Sequence, residues 1–224
     1  MKRETLQSIV KVIAHAIANI EFFGTQHLPL EGGLIVATNH MSRVDTLLLF
    51  LNPARKDITA LVADKYKKYP LFNWILTVGG IIWLDRDKAD FGAFRLAADV
   101  LKSGVALGIA PEGTRSQTGQ LQEGKPGTVL LAQKAKVPIV PVAITGTEEF
   151  FKRLLTLRWP QVKITFGPAF TLPPLDRANR DESLQKMTEE IMARIAILLP
   201  PKYWGFYKDN PRLQEMLANK QLYM

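Results

Sequence analysis

A histidine and an aspartate five positions apart are the side chains of this sequence best suited to moving a proton. They lie in the stretch Asn39-His40-Met41-Ser42-Arg43-Val44-Asp45. An apolar run, Leu34-Ile35-Val36-Ala37, precedes it and has the length and composition of a buried strand. A second run, Thr46 to Leu51, is more typical of a helix. His40 is therefore expected just past the carboxyl end of a strand, where open α/β sheets place their ligand crevice.

The spacing of the pair restricts how the two side chains can meet. On one continuous helix, five positions turn through about 500°, which leaves the side chains about 140° apart. If His40 lies in the turn and Asp45 in the first helical turn, the carboxylate can accept from imidazole Nδ1. Nε2 is then left as a base. The alternative is an aspartate that caps its helix and a histidine in an ordinary loop.

An arginine follows a second predicted strand. Gly79-Gly80-Ile81-Ile82-Trp83-Leu84 reads as a strand with a glycine entry, and Arg86 comes two residues later. A side chain at that position points into the same crevice. The alternative for Arg86 is a surface ion pair with Asp85 or Asp87.

A third turn, Pro111-Glu112-Gly113-Thr114-Arg115-Ser116, follows the predicted strand Val105 to Ala110. Its glycine lets backbone N–H groups approach an anion closely. The Thr114 hydroxyl and the Arg115 guanidinium can complete a phosphate or carboxylate site. As a lone turn the signal is weak, because such residues are common in loops.

Composition excludes several classes of chemistry. The 224 residues contain no cysteine, so neither a thiolate nucleophile nor a Cys-ligated metal is available. The histidines, His15, His27 and His40, lack the close pairing of a zinc site, and no metal is expected. The net charge of +8 indicates an anionic partner, which could be nucleic acid, a membrane surface or a phosphorylated substrate.

Strands that alternate with helices predict an α/β fold: a single-domain, mixed and largely parallel β-sheet flanked by helices. Further strands are expected over 58–63, 137–144 and 161–167. Pro138 and Pro141 in one of them indicate a sheet edge or a bulge.

The N-terminal segment 5–23 has an amphipathic helical pattern that ends at Gly24. We therefore divide the chain into this helix, residues 1–24, and a main domain, residues 25–224. The helix either covers the edge of the core or lies in the plane of a membrane interface. We expect no cleavable signal peptide, because the N-terminal apolar region is interrupted and lacks a small-residue cleavage site. We also expect no spanning helix, because no uninterrupted apolar run is long enough.

Basic and aromatic side chains are interleaved over residues 65–74, including Lys65, Lys67, Lys68 and Trp74. Such a mixture suits a membrane interface. It also suits nucleic-acid binding by stacking, or a solvated charged turn. A second aromatic cluster, residues 200–207, is either a lid on the core or another interfacial anchor.

Together these turns resemble the glycerolipid acyltransferase family, whose best-known members are bacterial lysophosphatidate acyltransferases. The first turn matches the Asn-His-x4-Asp signature of that family. Residues 80–86 and 111–116 are similar to its second and third blocks, and Val137-Pro138-Ile139-Val140-Pro141-Val142 resembles the fourth. The order and approximate distances agree over residues 30–170.

The resemblance implies direct transfer of a fatty acyl group from acyl-CoA or acyl-carrier protein to the free hydroxyl of a lysophospholipid, most simply lysophosphatidate. It makes His40 the general base and Asp45 its partner. The acceptor would be held by Arg86, Glu112, Gly113, Thr114 and Arg115. Because Glu112 is an anion, its expected role is to orient an arginine or a glycerol hydroxyl.

A serine elbow and a cysteine are both missing from the sequence, which agrees with a reaction without an acyl-enzyme. We expect no cofactor beyond the thioester co-substrate, no nucleic acid, and an anionic membrane surface as partner, with peripheral or monotopic attachment at the cytoplasmic face. Two alternatives remain: a thioester or ester hydrolase that uses the same dyad on water, and a non-catalytic lipid-binding module.

Overall fold

The computed structural model describes residues 1–85 and 90–223, in which one seven-stranded sheet carries helices on both faces. The strand order is β1-β7-β6-β2-β5-β3-β4. The strands are β1 Asn19–Phe23, β2 Leu34–Thr38, β3 Thr59–Ala63, β4 Ile82–Leu84, β5 Ala106–Ile109, β6 Ile139–Thr145 and β7 Gln161–Phe166. The predicted α/β class with a largely parallel sheet is confirmed.

Five strands, β6, β2, β5, β3 and β4, run in the same direction, with β2 at the middle of the sheet. Their carboxyl ends therefore share one edge, called here the carboxyl edge. Strand β7 runs antiparallel to β6, and β1 runs parallel to β7. The amino ends of β7 and β1 therefore also lie at the carboxyl edge.

Helices cover β2 from both sides, which explains why its sequence is apolar without alternation. Ile35 and Ala37 pack in one cluster with α4, α5 and α7, and Leu34 and Val36 pack in the other with α2 and β1. The helices are α1 Arg3–Ile17, α2 Asp45–Phe50, α3 Pro70–Val78, α4 Phe91–Lys102, α5 Gly127–Ala135, α6 Phe150–Leu155, α7 Arg180–Ala196 and α8 Pro211–Ala218.

The N-terminal segment departs from the predicted helix over 5–23. The helix ends at Ile17, and residues 19–23 form the edge strand β1. The Asn19 N–H donates to the Pro160 carbonyl at 2.9 Å, and the strand then pairs along β7 as far as Phe23. Pairing with a strand distant in sequence therefore overrides the helical periodicity of these residues.

Helix α1 divides its apolar residues between the core and the surface. Leu6 is buried, and Val10 packs against the cluster on that side. Ile9, Val12 and Ile13 are 45%, 70% and 54% exposed. The side of the helix that packs on the core therefore runs through Leu6 and Val10, whereas Ile9, Val12 and Ile13 lie on its outer side.

Strand β6 lies inside the sheet, between β7 and β2, so the edge position predicted from its prolines is wrong. Pro141 lies opposite Ala37 of β2, and its carbonyl accepts from the Gly167 N–H at 2.8 Å, just past the end of β7. Its missing N–H therefore falls where the ladder with β7 stops, and an interior strand tolerates it there.

The C-terminal aromatic cluster is mainly a lid on the core. Tyr203 and Tyr207 are buried, whereas Phe206 is exposed. The Tyr207 hydroxyl accepts from the Gly124 N–H at 2.9 Å, and the Leu121 N–H donates to the Tyr203 carbonyl at 2.8 Å. These contacts hold the polar loop that follows β5.

Candidate active site

The histidine and the aspartate of the first turn are in contact. His40 lies two residues past β2, and Asp45 is the first residue of α2. Their atoms His40 Nδ1 and Asp45 Oδ2 are 2.9 Å apart. A carboxylate can only accept, so in the neutral imidazole this contact places the proton on Nδ1 and leaves Nε2 as the acceptor.

Asp45 is held by more than the histidine. Its Oδ2 also accepts from the Met41 and Ser42 N–H groups, each at 2.7 Å. The residue is 1% exposed, and Oδ1 has no hydrogen-bond partner in the described parts of the chain. The carboxylate therefore has a fixed orientation and keeps the turn closed around the imidazole.

The neighbouring Asn39 ties this turn to β6. Its Nδ2 donates to the Ile144 carbonyl at 2.8 Å, and its Oδ1 accepts from the Ile144 N–H at 2.7 Å. Asn39 is 1% exposed. Sequence reasoning assigned it no role, although a polar side chain just past the apolar run Leu34 to Ala37 is the signal for such a tether.

Glu112 lies behind the histidine backbone. Its Oε1 accepts from the His40 N–H at 3.0 Å, and its Oε2 accepts from the Gln122 N–H at 2.9 Å. Burial raises the pKa of the carboxyl group, although these hydrogen bonds act in the opposite direction. Both carboxylate oxygens therefore accept from protein N–H groups. The expected role of Glu112 in orienting an arginine or a glycerol hydroxyl stays a prediction.

A cavity of about 340 Å³ opens at the carboxyl edge beside the dyad. Its polar wall includes His40, Gly113 and Thr114. Its apolar wall comes from α2, β3, α3, β4 and the segment between β3 and α3, with Leu49, Leu61, Val62, Tyr66, Phe72, Leu76 and Leu84. A cavity that joins polar groups to an apolar wall fits an amphiphilic ligand.

Two cations of the cavity wall, Arg43 and Lys125, were missed by sequence reasoning. Both side chains are exposed, and neither has an ion-pair partner among residues 1–85 and 90–223. The Lys125 N–H donates to the Pro111 carbonyl at 2.8 Å, which brings its chain beside Gly113. The sequence does offer a signal for each: Arg43 lies between His40 and Asp45, and Lys125 lies at the end of the polar loop.

The structure describes only one of the two arginines that were expected to hold the acceptor. Arg115 is half-buried and is not part of the described cavity wall. Arg86 lies outside the described residues, so its contact with an acceptor stays a prediction. Within those residues, no group of three or more His, Cys, Asp or Glu side chains is arranged to hold a metal ion.

The residues predicted to contact a membrane are all exposed and lie on one segment, residues 65–74. Lys65, Lys67 and Lys68 lie in a 3₁₀ turn directly after β3, and Trp74 is 47% exposed on α3. This segment therefore begins at the carboxyl edge. In the parts of the chain described, we find no helix that is both long enough and apolar enough to cross a bilayer.

A half-buried histidine paired with a buried aspartate beside an amphiphilic cavity, on a largely parallel α/β sheet, defines a site that can activate a hydroxyl group. The chain belongs to the acyltransferase family: the family model described as Acyltransferase matches residues 19–145. That range begins at β1, ends with β6 and contains the dyad, Glu112 and Lys125.

Individual relatives agree with this membership. The 1-acyl-sn-glycerol-3-phosphate acyltransferase of Bacillus subtilis is 25% identical over 189 residues, which is 83% of this chain and 91% of that protein. The enzyme of the same name from Borreliella burgdorferi is 25% identical over 77% of this chain and 70% of its own length. A yeast relative is 33% identical, and the match spans only 44% of its length.

A solved structure shares the fold. The 1-acyl-sn-glycerophosphate acyltransferase of Thermotoga maritima superposes with a TM-score of 0.63 at 26% sequence identity. The match covers 84% of this chain and 76% of the Thermotoga chain.

Proposed function

We propose that this protein transfers a fatty acyl group from a thioester, acyl-CoA or acyl-carrier protein, to the free hydroxyl of lysophosphatidate, giving phosphatidate. The observation that carries the proposal is the 2.9 Å contact between His40 and Asp45 beside a cavity with cationic and apolar walls. The names of the relatives from Bacillus subtilis and Borreliella burgdorferi support the choice of acceptor.

In the proposed reaction His40 Nε2 takes the proton of the acceptor hydroxyl as its oxygen attacks the thioester carbonyl. Asp45 stabilises the imidazolium that forms. When the tetrahedral intermediate collapses, the new C–O ester bond remains and the C–S bond breaks. The imidazolium then returns its proton to the departing thiolate, so the dyad ends in its starting state.

Direct transfer, without an acyl-enzyme, is favoured by what surrounds the imidazole. The sequence has no cysteine. In residues 1–85 and 90–223 the ring of His40 has no hydrogen-bond partner other than Asp45, so no serine or threonine is placed for activation. The substrate hydroxyl is therefore the group that this base would deprotonate.

The cations of the cavity suit the acceptor phosphate. Arg43 and Lys125 border the same space as His40, and the Thr114 hydroxyl adds a donor. Arg86 and Arg115 remain candidates from the family resemblance. The apolar wall from β3 and α3 would then receive the acyl chain of the acceptor or donor.

We place the enzyme at the cytoplasmic face of the membrane as a peripheral protein. Its proposed acceptor is an amphiphile of the bilayer, whereas acyl-CoA and acyl-carrier protein are cytoplasmic. The exposed Lys65, Lys67, Lys68 and Trp74, together with the outer face of α1, support attachment to an anionic surface.

The function is tested with radiolabelled acyl-CoA, supplied with and without a panel of lysophospholipids. We expect label in phosphatidate when lysophosphatidate is present and little free fatty acid when no acceptor is added. Release of free acid at the same rate without an acceptor would identify a hydrolase. Binding of lysolipid without turnover of either kind would identify a lipid-binding module.

A further inference from the structure

A second apolar surface, unrelated to the segments predicted to meet a membrane, projects from α6 and the loop after it. We define the α6 surface as Phe151, Leu154, Leu155, Leu157 and Trp159. These side chains are 53%, 38%, 85%, 93% and 60% exposed, respectively. Scattered exposed apolar residues are common, but five of them within nine positions form a patch that calls for an explanation.

The backbone holds these side chains outward in a defined conformation. Leu157 has φ +55°, a left-handed conformation that leucine rarely adopts. The Leu157 N–H donates to the Leu154 carbonyl at 3.1 Å, and the Arg158 N–H donates to the Arg153 carbonyl at 2.9 Å. The most exposed leucine therefore lies on an ordered turn that closes α6.

Basic side chains alternate with the apolar ones. Lys152 and Arg153 lie 3.5 Å from Glu149, and Arg158 has no ion-pair partner in the described residues. Glu148, the other acid of the segment, accepts from the Tyr203 hydroxyl and the Gly146 N–H. The mixture of leucines, a tryptophan and cations matches the chemistry of a bilayer with anionic headgroups.

The topology places the α6 surface at the carboxyl edge. Strand β6 runs parallel to β2 and ends at Thr145, and the antiparallel β7 begins at Gln161. Everything between these two residues therefore leaves and re-enters the sheet at the edge that holds His40. The lysines that follow β3 leave the same edge on the other side of β2.

We propose that the α6 surface docks on the anionic phospholipid bilayer, so that the membrane contacts the protein on both sides of the catalytic cavity. This inference rests on the proposed function, because an acceptor that lies in the bilayer is the reason for the cavity to face lipid. The protein charge of +8 favours an anionic bilayer as the occupant. Contacts on both sides of β2 would seat the cavity mouth against the layer that contains the acceptor.

The test compares the wild-type protein with a triple variant, Leu155→Ser, Leu157→Ser and Trp159→Ser. Leu30→Ser is the matched control, because Leu30 is 70% exposed but precedes β2 and so lies at the opposite edge. Binding is measured by co-sedimentation with phosphatidylcholine vesicles that contain phosphatidylglycerol. Activity is measured on bilayer lysophosphatidate and on a short-chain, water-soluble acceptor.

We expect the triple variant to bind vesicles at least about tenfold more weakly than wild type, since three apolar anchors are lost. Its activity on bilayer substrate should fall, while its activity on the short-chain acceptor and the behaviour of Leu30→Ser should stay at the wild-type level. The tryptophan emission maximum of the wild-type protein should shift to the blue when vesicles are added. Trp159→Phe should lose part of that shift but should still bind the vesicles.

Wild-type vesicle binding by a folded triple variant would overturn the docking proposal. A wild-type dimer that the triple substitution converts to a monomer, without a change in vesicle binding, would instead assign the surface to a second copy of the chain. Vesicle binding does not require turnover. A protein that binds through this surface but transfers no acyl group would therefore contradict the proposed function and leave the docking surface in place.

Discussion

At the scale of residues, the site depends on which donors the carboxylates of Asp45 and Glu112 accept hydrogen bonds from. Asp45 accepts from the imidazole and from two backbone N–H groups, whereas Glu112 accepts from the backbone of His40. The first contact joins residues five positions apart, and their spacing allows it when His40 lies in the turn and Asp45 at the start of the helix. The second joins residues 72 positions apart, and no pattern in the sequence indicates it.

Glu112→Gln should lower stability by about 1–3 kcal/mol, because the amide NH₂ would face a backbone N–H of His40 or Gln122. The penalty should shrink as pH rises. Burial raises the folded-state pKa of Glu112 above its ordinary value of 4.5, so the folded wild type retains the proton longer than the unfolded chain. Wild-type stability therefore falls as pH rises from about 4.5 through the raised pKa.

Urea denaturation of both proteins across this pH range measures the effect. The free energy of unfolding of wild type minus that of Glu112→Gln should decrease with rising pH. A difference that increases with pH would mean that the hydrogen bonds outweigh burial and lower the pKa of the carboxyl group.

Lys125→Ala should raise the KM for lysophosphatidate more than the KM for acyl-CoA, because the lysine borders the cavity with no ion-pair partner in the described residues. Steady-state kinetics with each substrate varied in turn measure the split. Lys102→Ala, at the exposed end of α4, is the control. Equal effects on both substrates would assign Lys125 to the phosphates of the donor instead.

At the scale of elements, buried apolar runs predict most of the sheet. Strands β2 to β7 were all expected, with boundaries that differ by a few residues. Strand β1 was missed because Ile20 continues the apolar spacing of α1 and because its partner β7 lies far along the chain. Lys125 and Glu112 were missed as neighbours of His40 for the same reason, since only the folded loop brings them there.

Helix α1 offers a test in which burial and exposure predict opposite results. Leu6→Ala should cost about 2–5 kcal/mol of stability, since Leu6 is buried, and should leave vesicle binding unchanged while the protein is folded. Val12→Ser with Ile13→Ser should weaken vesicle binding with little change in stability, since both residues are exposed. Thermal unfolding measures the change in stability, and co-sedimentation measures vesicle binding. If Leu6→Ala weakens vesicle binding and the Val12→Ser, Ile13→Ser variant does not, the face of α1 that carries Leu6 is the one that contacts lipid.

At the scale of the whole molecule, charge and topology act together. The chain carries a net charge of +8, and the lysines after β3 and the cations of α6 leave the sheet at the edge that holds the cavity. A protein oriented in this way would present its active site, rather than its opposite edge, to an anionic bilayer.

Vesicle binding should therefore weaken with salt, because the Debye length falls from about 10 Å at 0.1 M to about 3 Å at 1 M. Binding should also weaken when phosphatidylglycerol is replaced by phosphatidylcholine. Co-sedimentation over a salt series measures both dependences. Binding that is independent of salt and of lipid charge would leave the exposed apolar residues as the sole anchors.

The central claim is that the His40–Asp45 pair carries out direct acyl transfer. The most direct measurement is the turnover of labelled acyl-CoA into phosphatidate by His40→Ala and Asp45→Asn, with Asp99→Asn on the exposed face of α4 as control. We expect no enzymatic product from His40→Ala, a kcat at least about a hundredfold lower for Asp45→Asn, and wild-type turnover by the control. Turnover by folded His40→Ala within a few-fold of wild type would contradict the account.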